Sequence, residues 1–254
     1  MKFSVKKLNS FIGNKQILNN ISFSLKTGDV LAVMGTNGGG KTTLLKSIMN
    51  HFSLKNDGEI KLNNTSLSSL STYDIAKNKI FYIPQVSLEL IGVQTLNFLR
   101  LVNSHSKNES FSVVYKKIEH LFKYFNLPKE ILTRDLNVNF SGGQKKKLEL
   151  IQSEIFGGDV LLIDEIDSGV DHDSIKAIAK YINSIKKTKI IIVISHNTNF
   201  LNMIKPTKTI IINNGKIVKS GSDELIKLVE KKGYKQFCGA KEKPLTTVCL
   251  TKQR

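Results

Sequence analysis

Residues 35–43 read Gly35-Thr36-Asn37-Gly38-Gly39-Gly40-Lys41-Thr42-Thr43, with the spacing G-x-x-x-x-G-K-T. Glycines let a backbone wrap closely around an anion because no Cβ stands in the way. The N–H groups opening a following helix would then point at phosphates, aided by the helix dipole. Lys41 has the reach for the β- and γ-phosphates of a nucleoside triphosphate, and the Thr42 hydroxyl can ligate magnesium there. The bland alternative is a glycine-rich turn that binds nothing. An apolar run at 30–34 and a helical run at 44–48 favour the phosphate reading, which requires a strand before the loop and a helix after it.

Four further groups could complete such a site. Leu161-Leu162-Ile163-Asp164-Glu165 is an apolar strand ending in two acids. Asp164 can hold magnesium through a water, and Glu165 can polarise the water that attacks a γ-phosphate. Two acids merely solvating a strand end is the alternative, and it weakens if that strand shares a sheet with the loop. Ser141-Gly142-Gly143-Gln144 precedes Leu148, Ile151 and Ile155 on helical spacing. S-x-x-Q is a capping box that satisfies free N–H groups, and a capped tip with two bare glycines is also an anion-binding end. Gln85, just past a strand-like run at 79–83, can ligate magnesium or sense a γ-phosphate. His196, after the apolar run ending at 194, can hydrogen-bond the same phosphate.

Positioning these groups takes an α/β sheet. Continuous apolar runs at 30–34, 160–163 and 189–194 are those of central parallel strands. Ile175, Ile178, Ile182 and Ile185 mark one face of an amphipathic helix between the last two. The opening segment alternates apolar and polar residues at 3–5 and 17–25, as half-exposed strands do, with residues 9–14 as the turn. Residues 59–62 and 79–83 read as further strands, the second stopped by Pro84. From 94 to 132 the spacing is helical, through Leu96, Leu99, Ile118, Leu121 and Phe125, with a polar break at 104–110. Asn214-Gly215 between apolar runs marks a hairpin over 209–218, and 222–232 reads as a last helix. The expected plan is a mostly parallel core sheet with an N-terminal antiparallel β subdomain and an α-helical subdomain over about 94–140 inserted in it. Residues 1–237 would form one domain and the basic residues 238–254 a flexible tail.

With 254 residues and 40% hydrophobic content, the chain can bury a large core. No run reaches the roughly 18–20 apolar residues of a membrane span, and MKFSVKKLNS lacks the apolar stretch of a signal peptide. The expectation is a cytoplasmic protein without membrane insertion, or one in a plastid-type organelle if a leader was removed. The net charge of +17 is heavily Lys. Lysines scattered along the whole chain, without a basic stripe interleaved with aromatics, favour a solvated surface over a nucleic-acid face. Cys238 and Cys249 fit neither zinc spacing nor a disulfide framework and read as free thiols.

The order GxxxxGKT, Gln, SGGQ, apolar-Asp-Glu, His resembles that of the ATP-binding-cassette (ABC) ATPases over nearly the whole length. Phe140 to Gln144 is similar to their signature motif and Ser168-Gly169-Val170-Asp171 to their D-loop. The resemblance implies a P-loop NTPase fold, ATP and Mg2+ as ligands, and ATP hydrolysis. It also implies that Ser141, Gly142 and Gly143 bind the γ-phosphate of ATP held by a second copy, so that ATP closes two chains face to face. Within the family, Asp164-Glu165-Ile166-Asp167-Ser168-Gly169-Val170-Asp171 resembles DEIDSGLD of the branch serving Suf iron–sulfur cluster assembly (SufC). Transporter cassettes usually have DEPTSALD there. Residues 133–143 and 85–93 resemble that branch too. By this resemblance, two copies would act on a SufB–SufD scaffold pair, docking through the segment after Gln85 and the helical block. The alternative is the ATPase subunit of a membrane transporter; a ribosome-associated cassette normally carries two cassettes in one chain. Departures from the family are Thr36 and Gly39 in the loop, where Pro and Ser are usual. Ile12 stands where many members stack an aromatic on adenine, a place Phe11 could take.

Overall fold

A computed structural model of the chain describes residues 1–106 and 109–237, without the side chains of 105 and 106. Residues 238–254, which include both cysteines and the expected tail, lie outside the described residues.

Strands β1 (Lys2–Ile12) and β2 (Lys15–Lys26) form a long antiparallel pair, joined in one sheet by β4 (Lys55–Leu62) and β5 (Thr65–Ser66) in the order β2-β1-β4-β5. The expected turn at 9–14 shrinks to Gly13 and Asn14. The polar residues before it are strand residues whose partners lie elsewhere: Ser10 is buried on Ser47, their hydroxyl oxygens 2.7 Å apart, and Asn9 accepts from the Asn20 amide at 3.0 Å. A register shift between Val5 and Leu8 accommodates Lys7 at φ 49°.

The second sheet holds β3 (Val30–Gly35), β6 (Ile80–Ile83), β9 (Val160–Asp164), β10 (Ile190–Ile194), β11 (Lys208–Asn213) and β12 (Lys216–Gly221), in the order β12-β11-β3-β10-β9-β6. All neighbours are parallel except the β11–β12 hairpin. Its turn is Asn214-Gly215, with φ 47° and 71°, the left-handed pair such a two-residue turn requires. The central strands are continuously apolar because both faces are covered. Val30, Ala32 and Met34 face one core, whereas Leu31 and Val33 face the other with α1 (Lys41–Ile48) and the first sheet.

The helices on the larger core are α3 (Thr95–Ser106), α4 (Phe111–Tyr124), α5 (Gly142–Phe156), α6 (His172–Ile185), α7 (Thr198–Ile204) and α8 (Glu224–Lys232). The short α2 (Thr72–Lys77) precedes β6. A two-stranded ribbon unseen in the sequence pairs β7 (Leu90–Gln94) with β8 (Asp135–Leu136). Val93 and Ile91 on it are exposed, so no burial-driven alternation announces the strand. The Thr95 amide donates to the Arg134 carbonyl at 2.9 Å, so α3 and α4 leave and return at one place.

Candidate active site

The loop between β3 and α1 is shaped by its glycines. Gly35 has φ 148°, and a Cβ there would strike the Ile212 carbonyl of β11. Gly40, at φ 105°, caps α1 in a left-handed conformation against the Leu18 side chain. The two departures from the family pattern have local partners. The Thr36 hydroxyl donates to Asn213 Oδ1 at 3.2 Å. A Cβ on Gly39 would stand 3.0 Å from both the Ile212 and Thr36 carbonyl oxygens, so glycine suits this packing. The Gly215 amide donates to the Gly39 carbonyl at 3.0 Å, so the β11–β12 turn props the loop from behind. Lys41 Nζ donates to the Gly35 carbonyl at 3.1 Å and the Thr36 carbonyl at 2.9 Å.

Parallel register brings the carboxyl ends of β3, β6, β9 and β10 to this loop, the end of an open α/β sheet where ligands bind. Thr42 Oγ1 donates to Asp164 Oδ1 at 3.3 Å, and Tyr82 Oη donates to Asp164 Oδ2 at 3.1 Å. Glu165, at φ 48°, turns its carboxylate into the opening. One oxygen accepts from Gln85 Nε2 at 2.7 Å, and the other lies 3.5 Å from His196 Nε2. Behind them, Ser195 donates to Asp167 Oδ2 at 2.9 Å.

Burial sets the charges. It pushes the Asp164 carboxyl above its ordinary range, against the hydrogen bonds from Thr42 and Tyr82. It lowers Lys41, opposed by Glu165 and Asp164. It lowers His196, with the nearby Lys41 charge adding and Glu165 opposing, so the imidazole is neutral at pH 7. Burial also raises the Tyr82 phenol, with Asp164 adding, which keeps it a donor.

The site opens on a cleft of about 700 Å³. Asn37, Gly38, Gly40, Lys41, Thr42, Thr43, Gln85, Glu165 and His196 line it, and so does Ile17. Gly35, Thr36 and Gly39 shape the loop from beneath, and Asp164 is fully buried behind Thr42. Neither Phe11 nor Ile12 is among the lining residues; Ile12 is half exposed at the end of β1. Ile17, on the next strand, is the apolar side chain that does line the cleft, and nothing in the local spacing separates the two. Tyr82 carries no local signal either, because only the β6–β9 register reveals its role.

Ser141, Gly142 and Gly143 are not at this cleft. They open α5, where both bonds of the capping box form: the Gln144 amide to Ser141 Oγ at 3.2 Å and the Ser141 amide to Gln144 Oε1 at 2.9 Å. The glycines allow close packing on the D-loop segment. A Cβ on Gly142 would meet the Gly169 carbonyl, and one on Gly143 would meet Ser174 and Asp171.

Thr42, Asp164 and Gln85 supply a hydroxyl, a carboxylate and an amide, the hard oxygen donors that magnesium takes. Asp164 is a fully buried carboxylate bonded to two hydroxyls, so the donor set fits a divalent cation beside the loop.

The profile of the ABC transporter family matches residues 18–168. The chain is 33% identical to "Probable ATP-dependent transporter SufC" of Escherichia coli, over 91% of this chain and 96% of that protein. It is 36% identical to "Probable ATP-dependent transporter ycf16" of Antithamnion sp., over 91% and 95%. It is 32% identical to the chloroplastic ABC transporter I family member 6 of Arabidopsis thaliana, over 89% and 69%. Among solved structures, an ATP-binding subunit of an ABC transporter superposes with a TM-score of 0.77 at 23% identity, covering 92% of this chain and 95% of that one. An ATP-binding cassette solved as a post-hydrolysis dimer with ADP and Pi gives 0.76 at 18% identity, over 87% and 98%. Among the described residues no helix is long and apolar enough to cross a membrane.

Proposed function

The chain belongs to the ABC transporter family and is an ATPase of the ATP-binding-cassette type; from that premise we propose that it is the ATPase of a Suf-type iron–sulfur cluster assembly scaffold. In this reading two copies work on a SufB–SufD pair in the cytoplasm, or in a plastid-type organelle. ATP-driven closure of the copies reshapes the scaffold where the cluster is built. The observation that carries the hydrolytic half is Glu165, braced between Gln85 and His196 at the mouth of the phosphate loop. The Suf assignment is supported by the DEIDSGVD stretch and by the SufC-named relative.

Lys41 exchanges its two loop carbonyls for phosphate oxygens, while the loop amides of 37–43 bind the rest of the triphosphate. Thr42, Asp164 and Gln85 would hold Mg2+, which when bound neutralises charge on the phosphate oxygens. Glu165 accepts a proton from the attacking water, and its carboxylate is oriented by the Gln85 amide. Neutral His196 donates a hydrogen bond toward the γ-phosphate. Ser141, Gly142 and Gly143, remote from their own chain's cleft, bind the γ-phosphate of the second copy.

The relatives named as transporters keep one other reading open, a cassette docked on a membrane subunit through the exposed Val86, Leu88 and Ile91. Purification of the tagged chain from detergent-free and detergent extracts separates the two. Recovery with soluble SufB and SufD, with ATP turnover rising in the complex, is expected. Recovery with integral membrane proteins alone would replace the Suf reading with the transporter one.

A further inference from the structure

One buried ion pair lies outside the cleft yet touches the segment that builds it. Lys146 and Glu149, one turn apart on α5, have side chains only 5% and 6% exposed, and Nζ stands 3.1 Å from Oε2. Stability alone does not account for such a pair, because apolar groups of similar volume often serve as well or better. The Lys146 ammonium also donates to the Pro84 carbonyl at 2.6 Å and the Gln85 carbonyl at 2.9 Å. Its three donors therefore all have acceptors. Glu149 in turn is hydrogen-bonded by Ser87.

The segment so gripped faces two ways. Inward, the Gln85 amide holds the Glu165 carboxylate. Outward, Val86 and Leu88 are 80% and 67% exposed. Chain connectivity alone would leave this turn free to shift, since Pro84 ends the β6 ladder and carries no N–H.

We infer that the Lys146–Glu149 pair is a positioning clamp for hydrolysis. It fixes the Pro84–Gln85 backbone so that the Gln85 amide stays on Glu165. The clamp rests on Glu165 acting in the chemistry; it does not depend on the Suf assignment.

The test uses the full chain, with ATP turnover and thermal unfolding measured together. Lys146→Met/Glu149→Leu replaces the pair by apolar groups of similar size. Lys146→Gln/Glu149→Gln keeps a polar, uncharged pair in the same space and serves if the first variant does not fold. Either is expected to melt near the wild type while kcat falls about tenfold or more and KM stays within about twofold, the pattern of a displaced catalytic geometry. Wild-type kcat in a folded variant, or a rise in KM alone, overturns the clamp. Glu165→Gln is run beside them. If Glu165→Gln is inactive while a clamp variant is fully active, only the clamp fails. If Glu165→Gln turns over normally, both the base assignment and the clamp fall.

Discussion

The two ends of the parallel sheet treat their charged groups in opposite ways. At the amino end, Asp29 accepts from the Lys26 amide at 2.9 Å, from Lys208 Nζ at 2.9 Å and from the Thr207 hydroxyl at 3.3 Å. Burial would raise its pKa, but these bonds hold it below the ordinary value. Nearby, Lys189 donates to the Gly158 carbonyl at 2.6 Å and lies 3.4 Å from Glu154. Burial opposes ionisation of Glu154 too, yet Lys189 and Lys117 keep its pKa low. At the carboxyl end the same physics runs the other way: Asp164 is raised, and Lys41 and His196 are lowered. Glu165 there sits in a left-handed backbone conformation that non-glycine residues seldom adopt. One end spends its charges on stability, and the other keeps them under-compensated beside an open cleft. Clustered groups of the second kind mark functional sites.

Three measurements would break or sharpen this contrast. The largest effect is expected from Glu165→Gln, which removes the proposed proton acceptor yet keeps a side chain that can bond Gln85. Turnover should fall by about a hundredfold or more, with the melting temperature unchanged or higher because a charge beside Asp164 is gone. A clear loss of stability would place Glu165 with the amino-end charges.

Next in size is Asp29→Asn, which should cost about 1–3 kcal/mol at pH 7 in urea unfolding, the price of leaving a buried bonding group short of a partner. Because the folded pKa lies below the ordinary 3.8, the stabilisation is present above that value and is lost as pH falls through the folded pKa. The wild type should therefore lose its advantage over the variant below about pH 4. A constant gap from pH 7 down to pH 2 would mean that ionised Asp29 stabilises nothing. Of the two expected losses of stability, the smaller belongs to Ser141→Ala, about 1 kcal/mol for a lost helix cap. If the α5 tip also binds the second copy's ATP, turnover should fall far more than that loss explains. Unaltered turnover would leave Ser141 with the capping box alone.

Much of this was legible in the chain. The phosphate loop, the capping box and the Asn214-Gly215 hairpin are local devices, and each formed where its residues stand. The ends of the central strands were legible for the same reason, since continuous apolar runs must be covered on both faces. The β7–β8 ribbon was not, because its residues are exposed and leave no periodic trace. Nor was the true extent of β1, whose polar residues mimic a turn until Ser47 and Asn20 come alongside. The apolar side chain at the cleft is Ile17 rather than Ile12 or Phe11. That choice depends on which strand lies over Gly40, a matter of sheet packing.

By itself, the sequence determined the order of the motifs and hence the family, because glycine freedom, capping and strand-end acids act over a few residues. Tertiary structure decided which groups meet. Thr42 reaches Asp164 across 122 residues, Gln85 reaches Glu165 across 80, and Lys146 reaches Pro84 across 62. Those pairings follow from parallel register and from helices laid on the sheet, and neither is written in local spacing. The physical reason is that a hydrogen bond needs its partners within about 3 Å, and only the folded chain sets distances between residues so far apart in sequence.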